Sequence, residues 1–418
     1  MKFSWVRILV ILLPTLLCLP YLGQSGLRVE HLIVYILGAL GLLKIICYKQ
    51  PVEKKIIKLL IFWLLAILFA IVSTYWSIFI NAQGQFSTKT ISGIEHYTRP
   101  LFCLAAGIYI CNKNKNLNSL LVFIDGLFML LSINTLLILL QLATGNATIF
   151  PFFQPPITAL EVSDGVVVRN LWEASVEMGR FTGIFYAPME SGVFYGVGLF
   201  LWLQNGLRFS RTKDIVLLIL IMIGGILSVS KVFIVVALVL FMIGLCFCFR
   251  AKLTKQLVAS AALGLFSAAV LLKNWDGYYL IMYFMGQTNS DIGIIERITS
   301  HRFGDANTQV NELFNVAYAH GKWFGLGVNP FPVMDNELLL WFAELGLIGL
   351  VLLLCIYCSL FLIFRRKYRD KTGLFIPLFI LGAALGGPVV TITKASSVLW
   401  FLAVFWSMEK APPDKLDA

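Results

Sequence analysis

The residues of this chain whose types could do chemistry are few, and most are cations. Arg180 sits in Gly179-Arg180-Phe181-Thr182-Gly183, and Lys231 closes the run Ser228-Val229-Ser230-Lys231. Arg297 and Arg302 flank His301 further along. A guanidinium fork binds phosphate oxygens in pairs and stays charged at any working pH, whereas an ammonium offers a point charge. Such cations, if gathered in a partly dry site, would hold a diphosphate and stabilise it as it departs. Two carboxylates could assist by taking a proton: Asp335, in Met334-Asp335-Asn336-Glu337, and Glu190, in Pro188-Met189-Glu190-Ser191-Gly192. Asp335 competes with a plainer role, since it or Asn336 is the natural N-cap of the apolar helix that follows. Glu344, seven residues after Glu337, falls on the same face of that helix, where an acid in an apolar segment asks for a partner. Arg99 has Glu95 four residues earlier, the spacing of a structural ion pair.

Other chemistries are excluded by pattern. The four His residues (31, 96, 301 and 320) show no metal-ligand spacing, and no Ser-His-Asp order or nucleophile elbow is present. The eight Cys residues all lie in or beside apolar runs, where Cys acts as a small hydrophobe. Gly325-Leu326-Gly327 follows no strand, so a dinucleotide-binding turn fails. No cofactor or metal is therefore expected.

The elements that must position these residues are membrane helices. The 418 residues are 59% hydrophobic and only 13% charged, against about 25% charged in a soluble globular chain. A folded sphere of this size cannot hide so much apolar surface, so lipid must serve as solvent. The expected fold is an all-α polytopic membrane protein with about 12 spans: 5–23, 31–49, 57–80, 97–112, 118–143, 182–204, 214–229, 232–250, 255–273, 336–364, 373–390 and 394–409. The first apolar run fits a short span or a signal segment equally well. With N- and C-termini cytoplasmic, most of the 33 basic residues fall in short inner connectors, as orientation by positive charge requires. The net charge of +11 then sets orientation and gives no reason to invoke nucleic acid.

Two outer segments are long, 144–181 and 274–335, and both hold hints of short helices. Arg169, Glu173 and Glu177 are spaced for a surface helix, and Asp305 could cap one whose Val310, Leu313, Phe314 and Ala317 form an apolar stripe. Long loops with internal structure suggest a site on that side. Residues 1–409 read as one membrane domain and 410–418 as a cytoplasmic tail.

The order of these features resembles the O-antigen ligase and polymerase family. The matching stretches are Arg180-Phe181-Thr182-Gly183, Ser228-Val229-Ser230-Lys231 between two spans, Glu296-Arg297 in a large outer loop, Trp323-Phe324-Gly325-Leu326-Gly327, and the run from Asp335 to Gly349. They cover roughly residues 178–350. The resemblance implies a metal-independent glycosyltransferase of the bacterial cytoplasmic (inner) membrane, its active site facing the periplasm or outside. Its donor would be an undecaprenyl-diphosphate-linked oligosaccharide. Arg180, Lys231 and Arg297 would hold the diphosphate, with Arg302 beside them. Two departures matter. The hairpin position commonly holds Arg and here is Lys231, and ligases carry a His where this chain has Asp335. The missing His favours the polymerase branch, in which repeat units of a lipopolysaccharide O-antigen, capsule or exopolysaccharide are joined, with a chain-length regulator protein as a possible partner. Asp335, or else Glu190, would act on the attacking hydroxyl.

Two alternatives stand beside this reading. A ligase would move the glycan from the lipid carrier to another acceptor. A twelve-span transporter or flippase would make no bond; against it, the inner loop Lys49-Gln50-Pro51-Val52-Glu53-Lys54-Lys55 lacks Gly and Asp, and the bulk lies on the outer side.

Overall fold

The computed structural model describes residues 5–19, 28–80, 88–113, 118–144, 162–163, 166–167, 175–176, 178–185, 187–205, 211–248, 276–284, 309–328, 336–365, 371–391 and 394–409. Within these the chain is overwhelmingly helical. The helices are α1 (Trp5–Leu16), α2 (Val29–Tyr48), α3 (Lys54–Tyr75, continued by a π-helical turn Trp76–Ile80), α4 (Thr88–Lys113) and α5 (Ser119–Thr144). Then come α6 (Pro188–Asn205), α7 (Arg211–Leu227), α8 (Leu238–Cys248, entered through a π-helical stretch Val232–Ala237), α9 (Asp276–Phe284) and α10 (Gln309–Gly321). The last three are α11 (Glu337–Phe364), α12 (Phe375–Ala384, after a 3-10 turn Lys371–Leu374) and α13 (Lys394–Met408). A two-residue antiparallel pair, Val162–Ser163 with Val166–Val167, lies between α5 and α6.

Four described helical stretches are long and apolar enough to cross a membrane: Val29–Tyr48, Lys54–Phe79, Ser119–Ala143 and Glu337–Phe364. Trp5–Leu16, Val232–Cys246, Phe375–Ala384 and Lys394–Met408 are apolar but shorter. The exposed faces explain why lipid is needed. On α2, Leu32, Ile36, Leu40 and Leu43 form one outward stripe; Ile57, Ile61, Leu64, Leu68 and Ile71 do the same on α3. Such continuous apolar faces are stable only against another apolar phase. The chain is a multi-pass membrane protein.

Most expected spans recur as helices with shifted ends. The sixth starts at Pro188 rather than 182, because Gly183, at φ +64°, turns the chain first. The eleventh stops at Ala384, ahead of Gly386-Gly387-Pro388, where proline and two glycines end a helix. The fourth begins earlier, at Thr88, so that Glu95, His96 and Arg99 lie inside helix. The expected span 255–273 and the tail 410–418 lie outside the described residues.

An aromatic knot ties the middle of the bundle. Trp63 of α3 lies with its ring centroid 5.8 Å from Trp341 of α11 and 5.2 Å from Trp400 of α13, and Tyr97 of α4 stands edge-on to Trp341 at 5.2 Å. All four are fully buried. Small residues let helices approach closely, as membrane packing demands. A β-carbon on Gly41 of α2 would lie 2.1 Å from the Ala105 carbonyl oxygen of α4.

The two ends of the bundle differ. At one end short connectors are laced by single hydrogen bonds, including Lys55 Nζ to the Leu362 carbonyl (2.9 Å), Asn112 to the Pro51 carbonyl (3.3 Å) and Asn118 to Glu409 (3.2 Å). Ser407 donates to Glu53 there. The other end carries buried acids and bases.

Candidate functional site

The site begins with a turn that the sequence motifs only hint at. Asn134 of α5 lies across the Gly183 turn: its Oδ1 accepts from the Ile184 amide (2.9 Å) and its Nδ2 donates to the Thr182 carbonyl (3.3 Å). Thr182 closes the same turn by donating to the Phe185 carbonyl (2.7 Å). One residue upstream, the Phe181 amide donates to the Leu227 carbonyl at the end of α7 (2.9 Å). The stretch around Arg180 is thereby pinned onto the helix end that leads straight into Ser228-Val229-Ser230-Lys231. Two motifs far apart in sequence become neighbours.

Arg180 is half-buried, and burial pulls its guanidinium below its ordinary value. A group starting so far above neutrality stays charged at any working pH. Lys231, also half-buried, starts the π-helical stretch rather than ending a loop, because the turn is already complete at Ser230. Val229 makes that turn with φ +44°, a left-handed conformation that a β-branched residue rarely adopts. Backbone held in such a state is kept there by its surroundings, and such residues cluster at working sites. One clamp is visible: a β-carbon on Gly192 would lie 2.2 Å from Ser230 Oγ, so the first turns of α6 press directly on this turn.

Glu190 lies in that first turn of α6 and is 5% exposed. Its Oε1 accepts from the Lys394 amide at 2.7 Å, which ties α6 to the start of α13. The structure thus gathers Arg180, Lys231 and Glu190 at one end of the bundle. Arg297, Arg302 and Asp335 lie outside the described residues. For the cap of α11 the described geometry is decisive: Asn336 Oδ1 accepts from the Leu339 amide at 3.1 Å, so Asn336 fills the role for which Asp335 was the other candidate.

The other acids take structural work. Glu95 and Arg99 form the expected pair, with Nε–Oε1 at 2.9 Å and Nη2–Oε2 at 2.7 Å, and Tyr35 donates to Glu95 at 2.7 Å. Arg28 pairs with buried Glu30 at 2.7 Å. Glu337, fully buried, accepts from the Val389 and Val390 amides, from Thr391 and from Tyr357, so it shapes the loop between α12 and α13. Glu344 accepts from the Tyr97 hydroxyl, a neutral donor where a base was sought.

The Gly325-Leu326-Gly327 stretch docks where α11 is broken. Gly346 has φ +67°, outside helical geometry, and frees backbone groups there. The Leu326 amide donates to the Ala343 carbonyl and the Leu347 amide to the Lys322 carbonyl, at 2.7 and 2.9 Å. Ser73 Oγ donates to the Glu344 carbonyl and accepts from the Gly327 amide at 2.9 Å. The helix expected over Val310 to Ala317 is present as α10, packed on α11, with Phe314 stacked on Phe342 at 5.2 Å. Its suggested cap Asp305 and the proposed helix through Arg169, Glu173 and Glu177 lie outside the described residues.

Sequence reasoning missed Lys394, Glu30 and Asn134. A charged residue opening an apolar segment is a usable signal for the first two; Asn134 is a neutral amide inside a span and announces nothing. Among the described residues no cluster of three or more His, Cys, Asp or Glu is arranged to hold a metal ion. Compared with known proteins, the chain matches no protein-family model and no curated protein. The resemblance to O-antigen ligases and polymerases therefore rests on the motifs themselves.

Proposed function

We propose that the protein is a polysaccharide polymerase of a bacterial cytoplasmic membrane that joins undecaprenyl-diphosphate-linked repeat units on the outer face. The observation that supports this reading is the backbone bond from the Phe181 amide to the Leu227 carbonyl, which joins the segment carrying Arg180 to the helix end that leads into Lys231, beside the first turn of α6. In the twelve-span arrangement with cytoplasmic termini, that end faces outward and the basic connectors face inward.

The reaction is a displacement at an anomeric carbon. A hydroxyl at the non-reducing end of one lipid-linked repeat attacks the sugar joined to the diphosphate of the growing chain. A glycosidic bond forms, the carbon–oxygen bond to diphosphate breaks, and the hydroxyl proton passes to Asp335 or Glu190. Arg180, Lys231, Arg297 and Arg302 offset the charge on the departing diphosphate, the largest electrostatic demand of such a transfer. Lys231 supplies charge without a fork, so the bidentate contacts fall to the arginines.

Purified protein in vesicles containing lipid-linked repeat units is expected to build polymer without an ion gradient. Arg180→Ala and Lys231→Ala should each lower the rate by about 100- to 1,000-fold, as loss of one charge-stabilising donor does. Transport with no glycosidic bond formed would overturn the reading. Polymer that persists on the lipid carrier in cells lacking the gene would point to a ligase instead.

A further inference from the structure

Lys394 is the most unusual charge in the described structure. It opens α13, is 1% exposed, and its Nζ has no hydrogen-bond partner. Among the described residues no carboxylate lies within ion-pairing distance of it. Glu30, the acid within its electrostatic reach from α2, lies 2.7 Å from Arg28, and its buried carboxylate oxygens, like the Lys394 ammonium, have no hydrogen-bond partner. Glu190 takes the amide of Lys394 and not its ammonium. An ammonium taken out of water and left unpaired is costly, and proteins retain one only where something else requires it.

Its surroundings indicate what it awaits. The Lys394 backbone is bonded to the first turn of α6, an 18-residue helix whose leading amide groups carry partial positive charge. Ser191 Oγ in that turn and Ser230 Oγ in the turn pressed against it are likewise buried without partners. Lys231 follows Ser230 directly. Lys394 Nζ, Ser191 Oγ and Ser230 Oγ are thus three buried polar groups without partners, carried by α13, α6 and the turn after α7, elements that meet at the end holding Arg180 and Lys231; each is able to donate a hydrogen bond to the oxygens of an anion.

We infer that Lys394 is a further binding residue for the diphosphate of the lipid-linked donor, seated at the first turn of α6 with Ser191 and Ser230. This rests on the polymerase reading for the identity of the donor. The ammonium is kept dry by the bundle until phosphate oxygens reach it, and so reports the diphosphate rather than the sugar.

The test is thermal unfolding of the full-length protein in lipid nanodiscs, with undecaprenyl diphosphate, undecaprenol or no addition. Wild-type protein is expected to unfold at higher temperature with the diphosphate and not with the alcohol. Lys394→Met, without ligand, should unfold at the same or a higher temperature than wild type, since it removes an unpaired buried charge. It should lose most of the diphosphate-induced rise, whereas Lys394→Arg keeps the larger part of it. A Lys394→Met protein that unfolds at lower temperature or fails to fold would show a structural ammonium and overturn the inference. So would Lys394→Met keeping the full rise; if Arg180→Ala abolishes the rise in that same series, the donor reading survives and only Lys394 is misassigned. No rise in wild-type protein, or an equal one with the alcohol, overturns both.

Discussion

At the scale of single residues, the Glu95–Arg99 pair shows how a buried charge inside a helix is made tolerable. Arg99 is almost completely enclosed, and both hydrogen bonds to Glu95 run in parallel, the geometry that compensates a guanidinium best. Glu95→Gln should leave Arg99 buried with the charge of its bonded carboxylate gone and one of that residue's two acceptor oxygens replaced by an amide NH2. The expected destabilisation is towards the lower end of about 3–5 kcal/mol, because Glu95 retains some solvent contact. Unfolding in detergent measures it, and the double substitution Glu95→Gln, Arg99→Met should recover part of the loss. The spacing of this pair was legible in the sequence, since four residues on a helix are neighbours whatever the fold. Lys394 was not, because its lack of a partner is a property of what surrounds it in space.

At the scale of elements, two junctions organise the candidate site. The Gly183 turn is held by Asn134, which uses both ends of its amide on backbone groups. Asn134→Leu should remove both and cost about 2–4 kcal/mol, read as a lower unfolding temperature, and should reduce polymer formation by misplacing Arg180. The second junction is the break in α11. A β-carbon on Gly346 would lie 2.4 Å from the Trp323 backbone, and the residue already has a positive φ. Gly346→Ala should therefore expel the Lys322–Gly327 stretch, seen as faster hydrogen exchange at the Leu326 and Leu347 amides. Sequence patterning located the apolar run of α11 and the glycines of the loop. It could not show that Gly346 interrupts the helix to receive that loop, because an isolated glycine in an apolar segment also suits ordinary close packing.

At the scale of the whole molecule, the bundle has an end of short basic connectors and an end of buried charge. Cysteine-reactivity mapping checks the orientation that positive charge implies. A cysteine replacing Lys49 should react only with reagent on the cytoplasmic side, and one replacing exposed Trp323 only from outside. The opposite pattern would place the proposed chemistry on the wrong face for a lipid carrier displayed outward.

The sequence by itself determined that this is a helical membrane protein, and where most of its helices run, with several ends displaced by one to three turns. Lipid imposes a length and an apolar composition on each segment independently, so those properties can be read locally. It also singled out Arg180, Glu190 and Lys231 by charge type and depth. Only the tertiary structure decided that the segments carrying these three touch one another, that Asn336 rather than Asp335 caps α11, and that the start of α13 at Lys394 is bonded to Glu190. Those outcomes depend on which helix ends meet across the bundle. Contacts such as Phe181 with Leu227 and Glu190 with Lys394 span many residues of chain, and no local pattern encodes them.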